Sequence, residues 1–257
     1  YTLDGTEPSS TNGKRVSADD NLSMPSADIE VTQTTTIRAM AIKNGFQPTN
    51  IDTHTYIFPA NVLQQSSDSV PAHANWGHAG PDYAMDPEIV NHSNPEIRPT
   101  PEDFLRVPTI SLVMDWNLMF GNGGIYISGE GVDKPTSIEF INPDGDINNP
   151  NTERGFQVNG TVRIVGGSST NRWKSDKLSM RLKFSPDLRF ELFGKERTDR
   201  FDTLILDHRL NNVWHYNRGS DQRDRAQYTH DQFPADLHNL MGGVSPEGRY
   251  CLLYING

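Results

Sequence analysis

The segment from Leu178 to Phe184 constrains the fold most, because its side chains alternate strictly between apolar and polar. A β-strand has a side-chain period of two, so alternate residues lie on opposite faces of a sheet. The apolar face comprises Leu178, Met180, Leu182 and Phe184, and the polar face comprises Ser179, Arg181 and Lys183. This pattern predicts a strand that covers a hydrophobic core on one side only.

Other short apolar runs, bounded by turn residues, predict further strands along the chain. They are Ile29–Val31, Thr36–Lys43, Thr53–Phe58, Thr109–Met114, Ile125–Ile127, Ser137–Ile141, Phe156–Val165, Thr203–Leu206 and Tyr250–Ile255. Two of these runs, Ser137–Ile141 and Phe156–Val165, are expected to pair across the polar loop between them. A turn is predicted at Asn44 and Gly45. Asn256 and Gly257 form the dipeptide most typical of a two-residue hairpin, which predicts a returning strand and a chain that is a piece of a longer protein.

One principal helix is predicted from Arg223 to Met241, with Pro234 expected to kink or split it. Strands followed by a helix and another strand indicate an α+β fold. We expect a partial β-sandwich module in residues 1–58, a polar linker or wrapping segment in residues 59–105, and mostly antiparallel strands with the helix in residues 106–257. In the linker, isolated anchors such as Tyr83 are expected to pack on a neighbouring domain.

The charge and cysteine content limit the function classes. The 257 residues include 33 acidic and 23 basic side chains, which gives a net charge of −10. This balance argues against nucleic-acid binding, which needs a positive field. No apolar run is long enough to span a membrane. The single cysteine, Cys251, excludes an internal disulfide framework.

The N-terminal residues resemble a known module. The strings YTLDGTEPSSTNGKR, TTTIRAMAIKNGFQPTN and THTYIF, within residues 1–58, are similar to the chitobiase/β-hexosaminidase C-terminal module. The resemblance implies a fibronectin-type-III-like sandwich of the kind appended to secreted bacterial enzymes and surface proteins.

A second resemblance covers residues 106–257. It is carried by an ordered set of strings: VPTISLVMD, FGNGGIYI, SIEFINPDGD, GFQVNGTVRIVGGSS, KLSMRLKF, DQRDRAQYTHDQF and RYCLLYING. This set resembles the CotH kinase-like family. It implies a truncated kinase-like N-lobe of an exported atypical protein kinase, acting outside the cell or on its surface on a protein substrate. The implied cofactors are ATP and Mg²⁺ or a similar divalent metal.

The chain departs from that family in two places. The family often has Arg-Gly-Asn-Ser-Ser where this chain has Val165-Gly166-Gly167-Ser168-Ser169, and His230 stands where the family has arginine before Asp231. The family's metal-binding and catalytic acids are expected beyond residue 257, so this piece alone is expected to be inactive. The alternative is a non-catalytic extracellular surface, adhesion or carbohydrate-associated protein.

The candidate site lies around the glycine pair between two predicted strands. Small residues let backbone N–H groups approach phosphate oxygens, which makes Gly166, Gly167, Ser168 and Ser169 candidate phosphate-binding residues. Lys177, which matches a recurrent lysine of the family, is a candidate phosphate ligand, and Arg181 could support the same anion. The alternative interpretation is a polar strand connection followed by a surface lysine and a surface arginine.

Two acidic groups have competing interpretations. Asp224, Asp231 or Asp236, on the predicted helix, could pair with the strand lysine as kinases pair theirs, or could simply favour the helix dipole. The stretch from Asn142 to Asn148, with Glu153, has the ligand spacing of a calcium loop. Ile147 stands where such a loop needs glycine, which favours an ordinary hairpin loop.

Overall fold

The computed structural model describes residues 1–66, 83–145, 152–170, 177–209, 213 and 225–257. Strands dominate, and they form a two-stranded and a six-stranded sheet. The N-terminal sheet pairs β1 (Thr35–Ala39) with β2 (Asp52–Tyr56) in antiparallel register, and Thr2 bridges to Arg38. Strands are therefore the regular structure of the N-terminal residues. The partial β-sandwich expected for residues 1–58 stays a prediction, because the described strands there form one two-stranded sheet.

The turn predicted at Asn44 and Gly45 is confirmed. Gly45 has a φ of +81°, and the Phe46 N–H donates to the carbonyl oxygen of Lys43 at 3.1 Å. The predicted strand Ile29–Val31 is wrong, because this segment has no strand assignment. Three alternating residues supply too few ladder hydrogen bonds to form a strand unless a partner strand lies beside them.

The second sheet contains β3 (Thr109–Val113), β4 (Lys134–Ile141), β5 (Phe156–Ile164), β6 (Met180–Arg189), β7 (Arg200–Leu206) and β8 (Leu252–Ile255). Its spatial order is β7-β6-β5-β4-β3-β8. All neighbours pair antiparallel except β3 and β8, which are parallel. The predicted pairing of Ser137–Ile141 with Phe156–Val165 is confirmed, since β4 and β5 pair with Ile138 opposite Val158.

The alternation from Leu178 to Phe184 is confirmed in full. Leu178, Met180, Leu182 and Phe184 are all buried in the main core. The same core contains Ile110, Leu112, Ile138, Phe140, Val162 and Ile164 from β3, β4 and β5. One face of the six-stranded sheet therefore carries the hydrophobic core of the domain.

The helices of the described residues are short. They are α1 (Pro59–Val62), α2 (Pro87–Val90), α3 (Trp116–Met119), α4 (Ile125–Ser128) and α5 (Gln232–Leu240), with 3₁₀ turns at Pro101–Leu105 and Gly167–Thr170. Within residues 59–105, Tyr83 packs edge-on against Trp116 and Phe120, with ring centroids 5.7 and 6.3 Å away. This contact agrees with the prediction that Tyr83 anchors the segment to its neighbour.

The prediction of a strand at Ile125–Ile127 is wrong, because these residues form α4. The helix lies between two glycines, with Gly124 as its N-cap and Gly129, at a φ of +73°, directly after its last residue. Ile125 and Tyr126 are buried on the main core. A three-residue apolar run does not distinguish a buried strand from a buried helical turn.

The predicted helix from Arg223 to Met241 is shorter in the structure. Residues 225–231 form turns and loop, α5 begins at Gln232, and residues 223 and 224 lie outside the described residues. Pro234 lies in the first turn, where backbone N–H groups have no helical partner, so it neither kinks nor splits α5. Among the helices described here, none is long and apolar enough to cross a membrane.

The opposite face of the large sheet is polar at its centre and contacts the N-terminal module. Ser111 on β3 lies opposite Glu139 on β4, and both are buried. The Thr55 hydroxyl of β2 lies 2.8 Å from Ser111 Oγ and donates to Glu139 Oε2 at 2.5 Å. One strand further, Asn159 Nδ2 donates to the carbonyl oxygen of Ile51 at 3.0 Å. The two sheets therefore meet through hydrogen bonds between polar side chains.

Candidate anion-binding site

The candidate glycine loop begins where the β5–β6 ladder ends. Beyond the last paired residues, the Val165 N–H donates to the Ser179 carbonyl oxygen at 3.0 Å. Gly166 and Gly167 then have φ values of +133° and +56°. The first value suits glycine alone, because a side chain at that position would strain the backbone. The 3₁₀ turn that follows is closed by the Thr170 hydroxyl, which donates to the Gly167 carbonyl oxygen at 2.8 Å.

An acidic side chain already contacts this loop. The backbone N–H of Gly167 donates to Oε1 of Glu130. Glu130 is held beside the end of β5 by a parallel bridge to Ile164. Its neighbours Gly129 and Gly131 both have positive φ, at +73° and +89°, so the backbone turns on either side of the carboxylate. The Gly167 N–H thus binds an anionic oxygen, which the Glu130 carboxylate supplies in this structure.

A pair of arginines lies on the polar face of the sheet at the same end of β5 and β6. Arg163 on β5 is directly opposite Arg181 on β6. Nη2 of Arg181 donates to both carboxylate oxygens of Asp133, at 2.9 and 3.0 Å, and the Arg181 side chain is only 19% exposed. Arg163 has no comparable acidic partner among the described residues. The pair therefore carries more positive charge than the single carboxylate of Asp133 neutralises.

Both arginines have an unused donor. The Nε atoms of Arg163 and Arg181 are buried and have no acceptor within the described part of the chain. Buried polar groups in folded proteins are nearly always hydrogen-bonded, and like charges directly across a ladder are destabilising. A small anion with several oxygens would accept hydrogen bonds from both Nε–H groups and would offset the repulsion between the two positive charges.

The structure brings most of the predicted phosphate ligands to one end of the sheet. Gly166, Gly167 and Arg181 lie at the end of the β5–β6 hairpin, and Lys177 is exposed two residues before Ser179. Ser168 and Ser169 belong to the 3₁₀ turn that follows the glycine pair. Arg163, Glu130 and Asp133 were not predicted from the sequence as part of this site. The polar position of Arg163 in β5 was a usable signal, but its pairing with Arg181 required the strand register.

The helix candidates have a different outcome. Asp231 lies at the N-terminus of α5, and its carboxylate accepts a hydrogen bond from Nη1 of Arg209 at 3.0 Å. Arg209 also lies 3.3 Å from Asp207. Asp224 lies outside the described residues. The acid–lysine pairing expected for Asp231 stays a prediction, and in this structure its observed partner is an arginine.

In the calcium-like loop, the last acid, Glu153, is bound by an arginine. Arg249 donates to both carboxylate oxygens of Glu153, at 2.5 and 2.7 Å, and Asn142 Nδ2 donates to the same group at 2.7 Å. The hydrogen bond with Glu153 raises the pKa of Arg249. Asp146 and Asn148 lie outside the described residues. In the described ranges, no group of three or more His, Cys, Asp or Glu side chains is placed to hold a metal ion.

Comparison with known families finds a match for the N-terminal residues. Residues 1–56 match the family model described as Fn3 associated, which covers β1, β2 and the Thr2 bridge. No curated protein and no solved structure shows significant similarity to the chain. The match supports a β-rich N-terminal module, and the resemblance of residues 106–257 to the CotH family stays a prediction.

Proposed function

We propose that the chain is part of an exported CotH-like atypical protein kinase and that residues 106–257 hold the nucleotide phosphates. The observation that supports this proposal best is the presence of two kinds of anion-binding group at the same end of the β5–β6 hairpin. A backbone N–H of the glycine pair already binds a carboxylate oxygen there, and Arg181 lies on the adjacent strand. Phosphate sites in proteins combine these two elements.

Each candidate residue has a defined role in this proposal. The N–H groups of Gly166 and Gly167 approach phosphate oxygens, and the Lys177 ammonium acts as a mobile point charge. Arg181 holds a second phosphate oxygen from the polar face of the sheet. ATP with a divalent metal would supply the transferable phosphoryl group, while these residues bind and orient it. We assign no residue of this chain as a metal ligand and name only the phosphate contacts.

The proposal is tested by ATP–Mg²⁺ binding to the full 257-residue chain, measured by calorimetry. Lys177→Ala is expected to weaken binding at least about tenfold, because a hydrogen bond to a charged group contributes about 1.5–3 kcal/mol. Lys195→Ala is the matched control. Lys195 is also exposed, but it lies in the β6–β7 connection at the opposite end of β6.

Two results would reject the proposal. One is no detectable heat or thermal shift with ATP–Mg²⁺ at millimolar concentration. The other is an equal loss of affinity in Lys177→Ala and Lys195→Ala, because a purely electrostatic attraction to the surface would not depend on position.

A non-catalytic extracellular role is the second candidate. It is favoured by the internal pairing at the site, where Glu130 binds the Gly167 N–H and Asp133 binds Arg181. Acids in these places stabilise a strand connection without any ligand. This candidate predicts binding to polysaccharide or to surface proteins in a pull-down that is unchanged by Lys177→Ala, together with no nucleotide binding.

A further inference from the structure

We infer that Arg163 and Arg181 form a subsite for an oxyanion of the phosphate type, with the Asp133 carboxylate as its internal competitor. The inference deepens the proposed function and rests on it only for the identity of the natural ligand. Its evidence is the arginine pair itself, which no sequence motif assigns as a unit.

Both arginines of the pair have a side-chain donor that the described residues leave without an acceptor. Asp133 engages Nη2 of Arg181 with both of its oxygens, so the Nε–H of that guanidinium stays without an acceptor among the described residues. The Nε–H of Arg163, directly across the ladder, also has no acceptor among the described residues. Directly opposed residues in an antiparallel pair have Cβ atoms about 4.5–5.5 Å apart. Two guanidinium groups at that spacing can donate to different oxygens of one anion.

The excess positive charge of the arginine pair also favours a phosphate-type anion as the ligand. Two guanidinium ions face one carboxylate in this cluster, and burying a cation without full compensation is unfavourable. Lys183 lies two residues beyond Arg181 on the same face and adds positive charge. A neutral ligand would leave this imbalance in place, whereas a phosphate-type anion neutralises it and accepts from several donors.

Asp133 sets how readily the subsite accepts its ligand. It lies immediately before β4, whose first residue, Lys134, pairs with Val162 on β5, so Asp133 is level with Arg163. Its carboxylate extends past that residue to Arg181. An incoming anion must therefore bind Arg181 together with Asp133 or displace Asp133 from it. The Asp133 side chain is 37% exposed, so this ion pair can exchange with a ligand from solvent.

The probe is inorganic phosphate added to the full chain, with side-chain NMR of ¹⁵N-labelled arginine as the first measurement. The Nε–H signals of Arg163 and Arg181 are expected to shift together on titration, while the signal of Arg189, on the far end of β6, does not move. This measurement requires no variant and so does not depend on a substituted protein folding. Absence of a shift in both signals would overturn the inference.

Affinity measurements on variants provide the second test. Arg163→Gln is expected to weaken phosphate binding about tenfold or more, as loss of a charged hydrogen bond does. Arg189→Ala is the control, because Arg189 is exposed and its ion pair among the described residues is with exposed Asp199. Asp133→Asn is expected to tighten binding roughly two- to fivefold, the range of an exposed ion pair. Unchanged affinity in Arg163→Gln, or weaker binding in Asp133→Asn, would refute the assignment.

Comparison with ATP–Mg²⁺ distinguishes this inference from the proposed function. Phosphate binding that depends on Arg163, without nucleotide binding, supports the subsite and rejects the kinase assignment. Nucleotide binding that depends on Lys177 but not on Arg163 rejects the subsite and leaves the kinase assignment in place.

Discussion

The hydroxyl of Thr55 joins the two sheets by contacting two buried side chains of the large sheet. It lies between Ser111 Oγ at 2.8 Å and Glu139 Oε2 at 2.5 Å, and the Thr55 N–H donates to Oε1 of the same carboxylate at 3.2 Å. Ser111 is fully buried and Glu139 is 5% exposed. Thr55→Val keeps the shape of the side chain and removes only the hydroxyl.

The size of the effect follows from what the substitution leaves behind. One charged hydrogen bond is worth about 1.5–3 kcal/mol, and the neutral bond to Ser111 adds about 0.5–1.5 kcal/mol. Water cannot easily replace the lost donor while Glu139 remains buried. We therefore expect Thr55→Val to lower the free energy of unfolding by about 2–4 kcal/mol near pH 7.

The pH dependence gives the prediction its sign. Burial raises the pKa of Glu139 above its ordinary value of 4.5, against the opposing hydrogen bonds from Thr55. A carboxyl whose folded-state pKa is raised contributes stability that is fully present below 4.5 and is lost as the pH rises through the folded-state pKa. Thr55→Val removes one opposing bond and raises the pKa of Glu139 further. The loss of stability is therefore expected to be larger near pH 7 than near pH 4.

The assay is urea unfolding of the whole chain, followed by circular dichroism at both pH values. Thr161→Val is the matched control, because Thr161 is a half-buried strand threonine with no side-chain hydrogen bond in the described structure. Its effect is expected to stay within about 0.5 kcal/mol. The reasoning fails if both threonine variants lose the same stability, or if the loss from Thr55→Val does not change with pH.

Two further predictions concern the segment around β8. Asn256→Ala removes both side-chain hydrogen bonds to the Met114 backbone, at 2.9 and 2.8 Å, and should lower stability in urea by about 1–3 kcal/mol. Asn256→Gly separates the hydrogen bonds from backbone strain at the φ of +60°, because glycine relieves such strain. We expect Asn256→Gly to lose most of the same stability, since it also lacks the two hydrogen bonds. Arg249→Met should lower the free energy of unfolding by about 1–2 kcal/mol by removing the Glu153 ion pair and the contact over the Phe140 ring, 5.2 Å from its centroid. Arg249→Lys is expected to be less stable than the unsubstituted chain, because an ammonium cannot bind both carboxylate oxygens in the same plane. An Arg249→Lys variant as stable as the unsubstituted chain would contradict this reasoning.

The sequence predicted the strands of the large sheet well, since their apolar positions follow a clear period of two. The segment that leads into and begins β6 shows this best, since every predicted inward residue from Leu178 to Phe184 is buried. Prediction failed where the apolar pattern was only a few residues long, or where the apolar side chains have no neighbouring element among the described residues to pack against. Ile125–Ile127 forms a helical turn between two glycines, and the apolar residues Phe233, Leu237 and Leu240 of α5 are exposed.

The candidate site was predicted only in part. The glycine pair and Arg181 were found from residue type and spacing along the chain. Arg163 and Asp133 were not, because their relation to Arg181 arises from pairing between strands that are far apart in sequence. Period-two patterns identify which face a residue occupies, but they do not give the register that selects its neighbour across the ladder.

The parallel pairing of β8 with β3 has a consequence for how the domain assembles. More than half of the chain separates Thr109 from its partner Leu252, so this contact closes the longest loop in the sheet and is among the slowest to form. Every residue of β3 is buried in the finished fold. During synthesis, the edge of β3 that pairs with β8 therefore stays open until Leu252–Ile255 has been made, and open edges of this kind promote association between chains. Protection of this β3 edge depends on β8, and chains that stop before Leu252 are expected to be more prone to associate than chains that include it.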